Sequence, residues 1–247
     1  MRHAPRFRVL ALVLCAIMIS ACASRQPLPQ PRKVADPDTV PGSVKTADYG
    51  IAAVGYAYFG EGMDYRKAGL EPVFLVFKNS SDKSYVVEYS QLRGIGPQGE
   101  FLPYSIDEAT ELVTRSEAFS VTAGDAARTG ALGAVLGAGI GALLGTIGGG
   151  DNIWKGAVIG GAAGAMGGAV AGGWGSESET RRTVLRELSS YAWTSEPVPP
   201  SYTKVGYVYF PGGVGIERVT LLVAHEGVVT PYTLPVAHVF DEKAEAR

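Results

Sequence analysis

From about residue 48, apolar and aromatic residues come in short runs separated by polar clusters. IAAVGYAYFG (51–60), PVFLVFK (72–78) and SYVVEYS (84–90) are rich in β-branched and aromatic side chains, the composition that favours pleated strands. Strand patterning resumes at TKVGYVYFPG (203–212), ERVTLLVAH (217–225) and VVTPYTLPVAHVF (228–240). Two stretches follow the helical period instead. SIDEATELVTRSEAF (105–119) places Ile106, Ala109, Leu112 and Val113 on one stripe, with Ser105 as N-cap and Glu108 at the third position of a capping box. ESETRRTVLRELSSYAW (177–193) carries a stripe of Val184, Leu185 and Leu188 on a charged helix, and EPVPP (196–200) stops it.

A different pattern separates these two sets. Residues 130–150, GALGAVLGAGIGALLGTIGGG, hold no charge and are more than half glycine and alanine. Gly133, Gly137, Gly141 and Gly145 recur every four residues, and Gly156, Gly160, Gly164, Gly168 and Gly172 do so again after GGGDNIWK (148–155). Spacing by four puts each series on one helix face. Glycine costs roughly 0.8–1 kcal/mol relative to alanine inside a helix, and close backbone approach of another helix is the usual compensation. The prediction is a helical hairpin whose arms, at about 1.5 Å per residue, match a ~30 Å hydrocarbon core. Trp154 at the turn and Trp174 at the far end are candidate interfacial anchors. The segment resembles the glycine-zipper membrane hairpins of small bacterial outer-envelope lipoproteins and surface antigens. Burial in a membrane or an embedded oligomer is one expectation, and packing of a soluble hairpin against its own β-domain or a partner is the other.

β-patterned sequence lies on both sides of this segment, and neither side offers many strands alone. The expected fold is therefore α+β: a β-sandwich-like domain interrupted by a glycine-zipper helical hairpin. Two independent small domains are the alternative. FKNSSDKSYVVE resembles the strand–turn–strand opening of immunoglobulin-like periplasmic modules. VGYAYF (54–59) and VGYVYF (205–210) nearly repeat, either as a duplicated strand or as a coincidence of two aromatic-rich segments.

The chain begins with Arg2, Arg6 and Arg8, then an apolar run from Val9 to Ile19, the layout of a secretory signal too short to be a conventional spanning helix. The run ends in Ile19-Ser20-Ala21-Cys22, which resembles the lipobox of bacterial lipoproteins, with Ile19 in place of the commoner leucine. The resemblance implies acylation of Cys22 (two or more chains, palmitate among them) and cleavage before it. More than one chain is what stable anchoring requires. Ala23 follows, not the aspartate that resembles an inner-membrane retention signal, so the implied address is the outer membrane with the protein mainly on its periplasmic face. The expected layout is a signal peptide (1–21), a proline-rich tether (22–46), the first part of the β-domain with a short helix (47–125), the hairpin insertion (126–176), an amphipathic helix (177–195) and the second part of the β-domain (196–241).

Composition narrows the chemistry further. Cys15 would leave with the signal and Cys22 would carry lipid, so no thiol remains for a disulfide, a metal or a nucleophile. Loss of the three arginines moves the formal charge from −2 to −5, a poor footprint for nucleic acid. Gly137-Ala138-Gly139-Ile140-Gly141-Ala142 fits the loose dinucleotide pattern but follows no strand. His225-Glu226 lacks the second histidine of the H-E-x-x-H zinc pattern, and the expected role of His225 is a local strand-end hydrogen bond. Asp107, Glu108 and Glu111 read as an acidic helix start; G-x-S-x-G is absent, and Ser80, Ser81 and Ser105 have turn or cap explanations. No catalytic residue, metal or cofactor is expected. The expected function is non-catalytic: an outer-membrane lipoprotein serving envelope integrity or scaffolding an envelope complex, with membrane lipid as partner through Cys22. Self-association or another envelope protein would engage the glycine face. An oligomeric pore or ring and a soluble-facing adaptor or chaperone are the alternatives.

Overall fold

The computed structural model describes residues 36–58, 60, 62–121, 123, 136 and 177–238, all within the unit Lys33–Arg247. Its elements are β1 (Val44–Lys45), β2 (Tyr49–Gly55), β3 (Leu70–Asn79), β4 (Val86–Val87), β5 (Arg93–Gly96), β6 (Gly99–Phe101), α1 (Ile106–Arg115), α2 (Glu177–Tyr191), β7 (Thr203–Pro211), β8 (Arg218–His225) and β9 (Val228–Ala237). A 3₁₀ turn at Tyr65–Ala68 leads into β3 through Gly69, whose φ of +82° suits glycine. The fold is mixed and rich in sheet, with strand order β6-β5-β8-β9-β2-β3-β7; β1 also borders β2, and β4 also borders β8. The one parallel contact in this path is β2 with β9, through Ala53–Val236 and Val54–Ala237.

Strands from both sides of the glycine-rich segment enter this sheet. β3, which precedes it, pairs along its length with β7, which follows it, from Leu70–Pro211 to Lys78–Thr203. The nearly repeated VGY sequences flank β3 on its two edges, two residues out of register: Val54 lies opposite Phe74, and Val205 opposite Val76. An even offset keeps side chains on the same face, and Tyr56 and Tyr207 share one core cluster.

The sheet curls so that one face of β2–β3–β7 and one face of β8–β9 share a core. Ile51, Leu75, Phe77, Val208 and Phe210 meet Val219, Leu221, Val223 and Leu234 there, with Trp193 among them. On the opposite face of β2–β3–β7, Val54, Phe74, Val76, Tyr207 and Tyr209 pack with Ala109 and Val113 of α1 and Val184 and Leu188 of α2. Burial on both faces explains why β2 reads as an unbroken apolar run. β8, buried on one face, alternates.

The anticipated hairpin at FKNSSDKSYVVE does not form. β3 ends at Asn79, and the next strand, β4, is only Val86–Val87 and pairs with β8 (Val86–Ala224). The reason lies at Asn79, whose buried Nδ2 donates to the carbonyls of Lys83, Val198 and Pro199 at 2.6, 3.1 and 2.9 Å. These bonds send the chain across to the other half of the sheet. The residues expected to complete that strand form a 3₁₀ turn at Tyr89–Gln91 instead. The hairpin of β5 and β6, too rich in glycine and too short to show alternation, was not anticipated.

Edges are closed by ordinary backbone means. The outer carbonyls of β7 at Tyr207 and Tyr209 accept from Trp193 N and Tyr104 N at 2.8 and 2.7 Å. On β9, Val236 N bonds toward β8 at Glu217 O, so odd-numbered residues face outward, and two of these are Pro231 and Pro235. These prolines lie on the side of β9 that meets β2 only at Val236 and Ala237, and they remove donors along the stretch that β2 leaves unpaired.

Candidate functional site at the base of the glycine-rich segment

The glycine-rich segment leaves and rejoins the described structure between α1 and α2, which makes their seating on the sheet the place to look. α1 begins as anticipated: Ser105 Oγ accepts from Glu108 N at 3.3 Å, and Glu108 Oε2 accepts from Ser105 N at 2.8 Å. The bond from Ser105 N, and a second that Ser105 Oγ donates to the same carboxylate at 2.8 Å, hold the Glu108 carboxyl below the usual range, the backbone bond most. α1 ends at Arg115, helical backbone resumes at 117–121, and Phe119 and Ala123 are buried in the helix-side core. Asp107 of α1 and Arg181 of α2 meet at 3.1 Å on the surface.

α2 buries Thr183, Val184, Glu187 and Leu188. Its end carries no glycine cap. Leu188 O, one of the terminal carbonyls that a helix leaves without an internal partner, accepts instead from the buried Tyr209 Oη at 2.9 Å. Other phenols do similar work on this face. Tyr56 Oη donates to Met63 O at 3.2 Å, and Tyr65 Oη donates to Leu136 O at 3.1 Å. Leu136 is the point at which the glycine-rich sequence enters the described structure, and it is fully buried in the helix-side core. Burial pushes the hydroxyls of Tyr65, Tyr207 and Tyr209 well above their ordinary values, so these groups stay neutral donors.

Two other places hold polar or open surface. An open groove of about 410 Å³ runs between Tyr89, Leu102, Pro103, Ile106 and Trp193, with Ser90, Ser105 and Glu108 at its rim. Leu102 is 61% exposed there. The Tyr89 phenol, pushed up to about 12 chiefly by burial, donates to Tyr104 O at 2.7 Å, and the Glu108 carboxylate is engaged in the capping box. At one end of the sheet, Asp48 Oδ2 accepts from Tyr85 Oη at 2.8 Å, a bond that lowers the carboxyl's pKa. His225, at the end of β8, has Nδ1 2.8 Å from Ser84 O, a contact across the sheet and not the local hydrogen bond anticipated for it. Among the described residues no cluster of histidine, cysteine, aspartate and glutamate has the makings of a metal site.

Cys22, the nine glycines (Gly133, Gly137, Gly141, Gly145, Gly156, Gly160, Gly164, Gly168, Gly172), Trp154 and Trp174 lie outside the described residues. Among the described residues no helix is long and apolar enough to cross a membrane. Tyr65, Leu136 and Glu187 were not singled out by sequence reasoning. A signal existed for Glu187, which falls three residues after Val184 and one before Leu188 on the same stripe. Leu185, assigned to that stripe, is only half-buried. Nothing local marks Tyr65. Comparison with protein-family models, with curated proteins and with solved structures returned no match.

Proposed function

We propose that the chain is a non-catalytic, lipid-anchored protein of the bacterial outer membrane, facing the periplasm. Its glycine-zipper hairpin would pack in or at the membrane and serve envelope integrity or the scaffolding of an envelope complex. The observation that carries this reading is the order of parts along the chain. Basic residues and an apolar run end at Ile19-Ser20-Ala21-Cys22, a proline-rich stretch follows, and a β-domain then surrounds two unbroken four-residue glycine registers. The pairing of β3 with β7 supports an insertion into one domain. The core shared by the two halves of the curled sheet supports a sandwich-like architecture, and the crossing at Asn79 is compatible with an immunoglobulin-like variant.

One observation favours the second reading, a hairpin packed on its own domain in a soluble adaptor. Leu136 belongs to the helix-side core and its carbonyl is held by Tyr65. Anchoring at that point is compatible with membrane insertion of the residues beyond it, so a test must spare Leu136. Cys22→Ala protein exported by a non-lipoprotein signal, with and without residues 138–175, is followed through carbonate extraction of the membrane fraction. Retention in the pellet only when 138–175 are present is the expected result. Release of both forms would sink membrane insertion and leave the adaptor reading.

A further inference from the structure

The groove walled by Tyr89, Leu102, Pro103, Ile106 and Trp193 has an apolar lining, and the polar side-chain atoms of these walls are engaged elsewhere. The Tyr89 phenol donates to Tyr104 O, and Trp193 Nε1 donates to Val87 O at 3.1 Å. A polar group desolvated against them would find nothing to bond, so the groove suits an apolar occupant. Glu108 at the rim differs. Both bonds from Ser105 end on its Oε2, and among the described residues no group donates to Oε1. The mouth can therefore accept an N–H. A side chain with an apolar body and a single N–H donor answers both features, and that side chain is tryptophan. At about 410 Å³ the groove falls in the range of ligand clefts, roughly 300–1,000 Å³, and has room for an indole.

The chain brings a tryptophan back to this place. α2 starts at Glu177, and one turn later its Arg181 meets Asp107, the residue between Ile106 and Glu108, at 3.1 Å. Trp174 stands three residues before Glu177, in GGWGSE (172–177). Three residues reach at most ~10 Å and a helical turn rises ~5.4 Å, which ties Trp174 within ~16 Å of Arg181. Gly172, Gly173 and Gly175 beside it carry no β-carbon to hold the backbone off a wall.

We propose that the groove is the seat of Trp174. The indole packs against Leu102, Ile106 and Tyr89, and its N–H is accepted by Glu108 Oε1. The glycine-rich sequence is then held at both ends, by Leu136 under Tyr65 where it enters the core and by Trp174 where it rejoins α2. Leu102, 61% exposed without an occupant, is covered. Seated in this way, Trp174 does not serve as an interfacial anchor.

Thiol labelling on the full chain tests this. Cys15 and Cys22 are replaced by serine and Leu102 by cysteine, and modification by a small maleimide is timed at neutral pH. With Trp174 in place, the new thiol should react several-fold more slowly than with Trp174→Ala. Trp174→Phe, which keeps a ring, should retain most of the protection. Equal rates with and without Trp174 overturn the proposal. Protection that grows with protein concentration also overturns it and gives the groove to a second copy. Val229→Cys, on the other half of the sheet, should react at one rate in all three backgrounds. Acceleration there equal to that at Leu102→Cys would mean general loosening, and that too overturns the proposal. The seat does not depend on the membrane reading: carbonate extraction can fail while the protection stands.

Discussion

The two halves of the sheet meet across one core but live in different surroundings. β2, β3 and β7 are covered on both faces, by β8–β9 on one side and by α1, α2 and Leu136 on the other. β8 and β9 are covered on one face only, and their other face carries Thr220, Thr233 and Val229, the last 53% exposed. Leu136, the described residue of the glycine-rich sequence, sits in the core on the outer face of the first half. On the outer face of the first half, tyrosine hydroxyls reach the backbone carbonyls of Met63, Leu136 and Leu188. The second half spends its outer face on solvent.

The sharpest way to break this contrast is to empty the covered outer face. Phe74→Ala removes a fully buried ring packed 5.0 Å from Tyr207 and should cost about 3–5 kcal/mol, read from the shift of the urea midpoint at unchanged slope. Gly206→Ala should rank next. A β-carbon at Gly206 would stand 2.7 Å from Trp193 Cα and N, so the chain after α2 must move off β7, at a cost of roughly 1–3 kcal/mol. Tyr209→Phe leaves Leu188 O without its buried donor and should lose about 1–3 kcal/mol. That loss should appear as faster exchange at the end of α2 while β8–β9 stay protected. Thr220→Ala on the solvent face removes only the exposed contact with Thr233 at 3.1 Å and should stay within about 0.5 kcal/mol. An equal loss from Thr220→Ala and Phe74→Ala would erase the distinction between the halves.

Acid sharpens the contrast by sign. Asp36, bonded by Lys78, Asp48, bonded by Tyr85, and Glu108, in its capping box, all have carboxyls below their ordinary values. Their contribution is present above the unfolded pKa and is lost as pH falls through the lower folded one. Glu187 runs the opposite way, because burial raises its carboxyl above the usual glutamate range and stability is then lost as pH rises from the unfolded value to the folded one. A urea titration from pH 3 to 7.5 should therefore show stability rising at the acid end and then declining, with the decline removed in Glu187→Gln.

Much of this was legible along the chain because the rules involved are short-ranged. Ser105 and Glu108 cap a helix three residues apart, alternation at Val219, Leu221 and Val223 marks a strand with one dry face, and the unbroken run through Ile51–Val54 marks one buried on both. Those patterns settled the mixture of helix and strand and the approximate ends of the longer elements. Tertiary structure alone decided the partners. β4 pairs with β8 and not with the strand beside it in sequence, because Asn79 binds carbonyls nearly 120 residues away. The burial of Glu187, the capping of α2 by Tyr209 and the hold of Tyr65 on Leu136 belong to the same class. Each joins groups far apart in the chain, whose desolvation and hydrogen bonding take their values only after the sheet has curled and the helices have closed over it.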